Sequence, residues 1–340
     1  MKLLDALRCQ NHGRPPVWIM RQAGRYLPEY RKIREKYSFL EMTHSPQLAA
    51  EVTLLPIQRY EFDAAIIFSD ILFISESLGY PFEFVEGVGP VLGTPIEPKD
   101  VESLSERRPL DFIEDAIRLV KSKLSVPLLG FSGAPFTIAS YMIEGGSSRD
   151  LKKTKQWLFH DPASFETLME VLTQAIIENL NRQIEAGADA VQIFESWASH
   201  LALPQLRRFS FPYLKKIVEG VRAPAILFGR GTAGYAGELA GLNPQGLGFD
   251  WSCDLAKVRR QVPKTIALQG NLDPQILFAP KKTIRVECRN ILKSMEGDRG
   301  FIFNLGHGIL PETPPENVHT LIDAIKSYSC ETSSSPISSN

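Results

Sequence analysis

Ala190-Val191-Gln192-Ile193-Phe194-Glu195-Ser196 is the stretch on which the fold turns. A largely apolar run rich in β-forming residues stops abruptly at Glu195 and Ser196. Upstream, Asp161-Pro162 opens a helical pattern that reaches about Gly187, with aspartate as the cap and proline in the first turn. Ala188-Asp189 then turns the chain into the run. An almost continuous apolar segment following a long helix is the pattern of a parallel strand buried on both faces.

The same unit recurs in both directions. Val17–Met20, Ala64–Phe68, Val126–Phe131, Pro224–Phe228, the weaker Gly246–Asp250, Thr265–Gly270 and Gly300–Asn304 bring the number of such runs to eight. Helical patterns lie between most of them. They cover Ser45-Pro46 to Tyr60, Asp111–Leu124, Pro204–Gly220, Asp254–Val262, Pro280–Met295 and Pro314–Lys326. Eight strand–helix units predict an α/β chain folded as a single (β/α)₈ TIM barrel over residues 1–327, with a doubly wound sheet as the alternative. The serine-rich residues 328–340 read as a disordered tail.

Composition sets limits on function. The 340 residues carry a formal charge of −1, with 44% hydrophobic and 23% charged side chains. Such a balance argues against bulk binding to nucleic acid or to an anionic membrane. The four cysteines form no Cys-x-x-Cys pair, which points to a reduced, cytoplasmic setting. No apolar run reaches the ~18 residues of a spanning helix. The N-terminal Met1–Gln10 does not read as a signal peptide.

The charge is unevenly spread. Residues 1–37 hold nine basic and three acidic side chains, a local excess of +6. Within them Met20-Arg21-Gln22-Ala23-Gly24-Arg25-Tyr26 follows the first apolar run. Arginine presents a rigid fork of donors suited to carboxylate or phosphate. The Gly24 interruption reads as backbone approaching a ligand. A solvated basic face is the plainer alternative.

Polar residues mark the ends of several runs: Arg21, Asp70, Ser132, Ser196 and His307. In a barrel of this kind the C-terminal strand ends share one face, where active sites lie. Each residue also has a structural reading. Asp70 could cap the segment Ile71–Leu78. Tyr141, on a short helix after Pro135-Phe136-Thr137, could be core. His307 stands between Gly306 and Gly308, which lets backbone come close to a ligand. Gly229-Arg230-Gly231-Thr232-Ala233-Gly234 matches a dinucleotide-binding pattern, with Asp250 21 residues beyond Gly229. Four strands precede it, and a tight glycine loop above a strand explains the same residues. Metal-ligand, nucleophile-elbow and phosphate-loop motifs are missing, so an enzyme without a cofactor is favoured.

Two long segments carry a family likeness. Pro16–Arg25 and Gly130–Gly145 resemble the two signatures of the uroporphyrinogen decarboxylase family. Phe68-Ser69-Asp70-Ile71-Leu72, Phe194-Glu195-Ser196 and Asn304-Leu305-Gly306-His307-Gly308 match in order. The resemblance runs from about Arg14 to Lys326. It implies a distorted barrel, a homodimer, and no metal or organic cofactor. The implied reaction converts the four acetate side chains of uroporphyrinogen III to methyls, giving coproporphyrinogen III and carbon dioxide in haem biosynthesis. The substrate positions it implies are Arg21, Ala23, Arg25, Arg34, Asp70, Tyr141, Ser196 and His307; Gln22 and Gly24 belong to the same stretch. Asp70, Arg21, Arg25, Tyr141 and His307 are the expected catalytic set. Asp70 would accept pyrrole N–H bonds and stabilise a cationic ring, which serves as the electron sink. An arginine or a bound water would protonate the new methyl. The rival readings are a zinc-using methyltransferase of the same superfamily and a catalytically silent porphyrinogen-binding protein. The first needs a histidine–cysteine pair, and no cysteine stands near His307.

Overall fold

The computed structural model describes residues 1–85, 87–104 and 107–328. Apart from Tyr328, the expected tail lies outside the described residues. The strands in chain order are β1 (Ala65–Ile66), β2 (Phe82–Val85), β3 (Gly89–Leu92), β4 (Leu128–Gly133), β5 (Ala190–Glu195), β6 (Ala225–Gly229), β7 (Gly246–Phe249), β8 (Ala267–Leu272) and β9 (Phe301–Leu305). Seven of them form one parallel sheet in the order β1-β4-β5-β6-β7-β8-β9, while β2 and β3 pair as a separate antiparallel hairpin.

The sheet curls until its two edges come near each other. Val17 bridges Phe303 of β9 on one side, and on the other its carbonyl accepts the Asp63 N–H just ahead of β1 at 2.8 Å. This corrects the expected strand Val17–Met20. It makes one parallel bridge and not a ladder. The physical reason lies in its neighbours. Pro15 and Pro16 have no N–H to give. The Ile19 N–H goes to the Gln22 side chain, and the Met20 N–H goes to Asn304 Oδ1 at 3.0 Å. Side chains thus take the donors a ladder would use. Among the described residues the sheet therefore has seven strands rather than the eight expected.

Both faces of the sheet are covered, which is why the strand runs read as continuously apolar. The convex face packs on the helices through residues such as Val191, Ile193, Leu227, Leu247 and Leu268. The concave face is a smaller cluster of Trp18, Met20, Ile66, Leu129, Ile226, Phe228 and Ile302, joined by Leu3, Ala6 and Leu7 of the helix Lys2–Leu7. Three polar side chains inside it are linked in series. Trp18 Nε1 donates to Gln269 Oε1 at 3.1 Å, and Gln269 Nε2 donates to Gln192 Oε1 at 3.0 Å.

The helices largely follow the sequence pattern. Pro46–Arg59 is capped by the Ser45 side chain, and Pro162–Ala186 by Asp161. The expected helix Pro204–Gly220 is two helices, Leu203–Phe209 and Phe211–Gly220, broken at Ser210. Pro212 falls in the first turn of the second, where its missing N–H costs nothing. Among the described residues no helix is long and apolar enough to cross a membrane.

Candidate active site

A cavity of about 950 Å³ opens at the C-terminal ends of the strands. Its wall brings together residues far apart in the chain: Arg21, Ala23, Gly24, Arg25, Arg34, Asp70, Ser196 and His307. The floor is apolar, with Met20, Ile66, Phe131, Phe194 and Phe228. One side is closed by the hairpin β2–β3, through Phe84, Val85, Gly89 and Pro90. Phe84 is held there by an edge-on contact with Phe39, their ring centres 4.5 Å apart.

The turn after Met20 is built to project its arginines. Arg21 sits in the left-handed backbone region at φ +61°, unusual for a residue with a side chain and a conformation that collects at functional sites. Its side chain runs across Gly308, where a Cβ would collide with Arg21 Cδ and Cγ. A Cβ on Gly24 would lie 3.1 Å from the Arg21 carbonyl oxygen. Gly308 thus leaves the room that the Arg21 side chain occupies, and Gly24 keeps close contact with the Arg21 backbone. Arg31 then fixes the next turn by donating from Nη1 to the Arg25 carbonyl at 2.9 Å. Among the described residues, the guanidinium groups of Arg21 and Arg25 have no ion-pair or hydrogen-bond partner. Cations left unpaired at a cavity wall are available to an anionic ligand.

Gln22 is placed differently from the sequence expectation. It is fully buried and absent from the wall. Its Oε1 accepts from Ile19 N–H, and its Nε2 donates to the Ala64 carbonyl at 3.2 Å. Gln22 therefore ties the arginine turn to the start of β1, and its side-chain hydrogen-bonding groups are used there.

Asp70 follows β1, is partly buried and lines the cavity. Its Oδ1 accepts the Leu72 N–H at 2.9 Å, so it does cap the next turn, as the structural reading held. Among the described residues Oδ2 has no partner. Burial pushes the carboxyl up to about 6, against the pull of the Leu72 N–H and the Arg21 charge. His307 lies beyond β9, edge-on to Phe228 with ring centres 6.0 Å apart. Burial, with the charges of Arg21 and Arg230, pushes its imidazole down to about 4, so it is neutral at pH 7.

Tyr141, on the helix Pro135–Glu144, is half-buried and lies outside the wall itself. Its ring meets Trp197 edge-on at 5.7 Å. Burial raises its phenol, and the charges of Asp70 and Arg21 both reach it. Ser196 is set by Thr137, whose hydroxyl accepts the Ser196 N–H at 2.9 Å. Ser132 is fully buried, with its hydroxyl on the Gly133 carbonyl, and takes no part in the wall.

Sequence reading missed two features. One is the hairpin, whose turn signal lies in Gly87-Val88-Gly89-Pro90. The other is Glu195, a buried carboxylate that receives the Thr137 hydroxyl at 2.5 Å and the Ser210 hydroxyl at 3.2 Å. Its environment comes from three separate elements, so no local motif exposes it. Among the described residues, no three His, Cys, Asp or Glu side chains gather as a metal-binding group.

Fold and cavity together define an α/β protein with a cavity of arginine-bearing wall and apolar floor above the C-terminal ends of a curled parallel sheet. Residues 1–328 match the family described as Uroporphyrinogen decarboxylase (URO-D), and the chain belongs to that family. It is 51% identical over 331 residues to the uroporphyrinogen decarboxylase of Protochlamydia amoebophila, covering 96% of this chain and 91% of that one. It is 48% identical to the uroporphyrinogen decarboxylase of Chloroflexus aggregans, covering 96% of this chain and 95% of that one. Among solved structures, a methyltransferase from Methanosarcina mazei superposes with a TM-score of 0.81 at 23% identity, over 96% of this chain and 97% of that one. At that identity the likeness speaks for the fold.

Proposed function

We propose that this chain removes the acetate carboxyl groups of uroporphyrinogen III as carbon dioxide, leaving four methyls, and so makes coproporphyrinogen III for tetrapyrrole synthesis. The observation that carries the reading is Asp70, a cavity-lining carboxylate with one oxygen unspent among the described residues, in a wall that also holds Arg21 and Arg25 with unpaired guanidinium groups. Family membership and the relatives' names support it.

The chemistry follows from the substrate's electronics. A pyrrole protonated on a ring carbon is a cation able to accept an electron pair. The acetate C–C bond then breaks, carbon dioxide leaves, and the bonding pair flows into the ring. Proton addition at the exocyclic carbon makes the methyl, and the ring carbon loses its proton. Each cycle exchanges one carbon dioxide for one proton. Asp70, ionised above about pH 6, accepts the pyrrole N–H bonds and offsets the ring's positive charge. Arg21, Arg25 and Arg34 take substrate carboxylates, each as a fork of donors. Ser196, Ala23 and Gly24 contact the bound ring, Tyr141 supports Asp70, and His307, being neutral, offers a hydrogen bond without adding charge. The floor of Phe131, Phe194 and Phe228 takes the ring's apolar face.

Three finer parts of the reading go with this. The curled sheet works as a closed, distorted (β/α)₈ barrel, with Val17 linking Phe303 of β9 to Asp63 ahead of β1. The chain acts in the cytoplasm. It works as a homodimer, in which a second copy would cover the exposed Val85 and Val88 of the hairpin. Sedimentation at micromolar concentration tests the last point.

The test of function is anaerobic incubation of purified protein with uroporphyrinogen III. The expected products are carbon dioxide and a four-carboxylate porphyrinogen. Intact eight-carboxylate substrate after prolonged incubation with folded protein would reject the reading.

A further inference from the structure

The glycine loop after β6 plays no part in the site as described. We propose that Arg230 in this loop is a further substrate-binding residue, taking a carboxylate on the side of the cavity away from Arg21, Arg25 and Arg34. The assignment rests on the substrate reading given above.

Topology places Arg230 across the mouth of the sheet. β6 is the middle strand of the seven, three strands from either edge. The stretch holding Arg21, Arg25 and Arg34 leaves from the seam where those edges approach, at Val17. A porphyrinogen carries carboxylates all round its ring. Cations at the seam alone would leave the far carboxylates unmatched.

The loop is built to hold this one side chain in place. The Arg230 N–H donates to the Glu195 carbonyl at 3.2 Å, which sets it beside Ser196. Gly231 takes φ +67° and gives its N–H to Asp250 Oδ2 at 2.5 Å. A Cβ there would stand 2.9 Å from Ser199 Cβ, so glycine is required on two counts. The Thr232 hydroxyl closes the turn on the Gly229 carbonyl at 2.9 Å. The glycines that imitate a dinucleotide motif are accounted for by this packing.

The guanidinium itself is unspent. Arg230 is exposed, and among the described residues its guanidinium has no ion-pair or hydrogen-bond partner. The nearby carboxylate of Asp250 is engaged elsewhere, by the Gly231 N–H and by the N–H and hydroxyl of Ser252. Arg230 is close enough for its charge to act on His307. It therefore flanks two proposed substrate contacts, Ser196 and His307, with a free fork of donors. It lies outside the cavity wall, a position suited to a peripheral carboxylate of a ligand whose body fills the cavity.

The test compares wild type, Arg230→Gln and Arg230→Lys by steady-state kinetics at low and high salt, with thermal midpoints as the folding control. Uroporphyrinogen III is the substrate, and a five-carboxylate porphyrinogen is the comparison. For Arg230→Gln, KM for uroporphyrinogen should rise about tenfold while kcat moves far less, as for a lost charge-assisted contact. Lysine should restore part of the loss, and the difference should shrink as salt rises. A glutamine variant with KM within about twofold of wild type at low salt would overturn the assignment. So would a loss confined to kcat, which would mark the loop as a support for Ser196. Wild-type protein that neither binds nor turns over uroporphyrinogen would instead overturn the substrate reading, and this assignment with it.

Discussion

Two acidic side chains stand at strand ends on the same end of the sheet, and their hydrogen-bonding capacity is used to opposite extents. Glu195 ends β5, and Asp70 follows β1. Burial pushes both upward, Glu195 to about 7 and Asp70 to about 6. Glu195 accepts from the Thr137 hydroxyl, the Ser210 hydroxyl and the Trp197 N–H, so its hydrogen-bonding capacity is consumed inside the protein. Among the described residues Asp70 has only the Leu72 N–H, on one oxygen, and the residue lines the cavity. A raised pKa marks both carboxylates and so does not separate scaffold from site. Unspent acceptor capacity distinguishes the two side chains.

Breaking the contrast at Asp70 should have the largest effect. Asp70→Asn keeps the acceptor for Leu72 N–H but removes the charge and turns an N–H₂ toward the pyrrole N–H groups. We expect kcat to fall by ~10²–10³. Stability should move the other way. A carboxyl raised from 3.8 to about 6 in the folded chain loses its proton first in the unfolded chain, so wild-type stability declines as pH rises from about 4 to about 6. The asparagine variant should therefore melt above wild type at pH 7, with the gap closing below about pH 4. A residue that only capped the turn would leave kcat unchanged, because asparagine caps as well as aspartate.

Breaking the other side acts on stability. Thr137→Val removes the hydroxyl that serves Glu195 and the Ser196 N–H at once. Leaving buried groups unsatisfied costs about 1–3 kcal/mol, which denaturant melts would register. A fully stable valine variant would show that Glu195 is not held as described. A smaller effect sharpens the Asp70 side. The Arg21 charge holds the Asp70 carboxyl down, so Arg21→Gln should move the acid limb of kcat/KM, near pH 6 in wild type, to higher pH. An unmoved limb would dissociate Asp70 from that limb. Glu195→Gln should change least. It keeps one acceptor for Thr137, and Ser210 can reverse its hydroxyl, so kcat should stay within about threefold of wild type.

The sequence was most legible where chemistry is local. Apolar runs buried on both faces announced the parallel strands, and their abrupt polar ends announced Asp70, Ser196 and His307. Arg21 was found because two arginines behind an apolar run look unlike a solvated face. What stayed hidden depends on partners from elsewhere in the chain. Val17–Met20 has strand composition, but Gln22 and Asn304 take its donors, which no propensity reveals. The hairpin was obscured because Glu83, Phe84 and Val85 are all exposed, so alternation is lost. Gln22 sits within the arginine stretch, yet its contacts with Ile19 and Ala64 make it a brace. The break at Ser210 belongs with Glu195, 15 residues earlier in the chain, and is invisible to helical periodicity.

The central claim is that Asp70 meets the pyrrole N–H groups with the oxygen the protein leaves free. Carbon-13 NMR titration of the aspartate carboxyls, assigned with Asp70→Asn, tests it most directly when run with and without coproporphyrinogen III under anaerobic conditions. The account predicts that Asp70 titrates near 6 in the free protein. With the product bound, that titration should shift markedly to lower pH, because N–H donors favour the ionised form. An Asp70 carboxyl whose titration is unchanged, or raised, in the saturated complex would contradict the account.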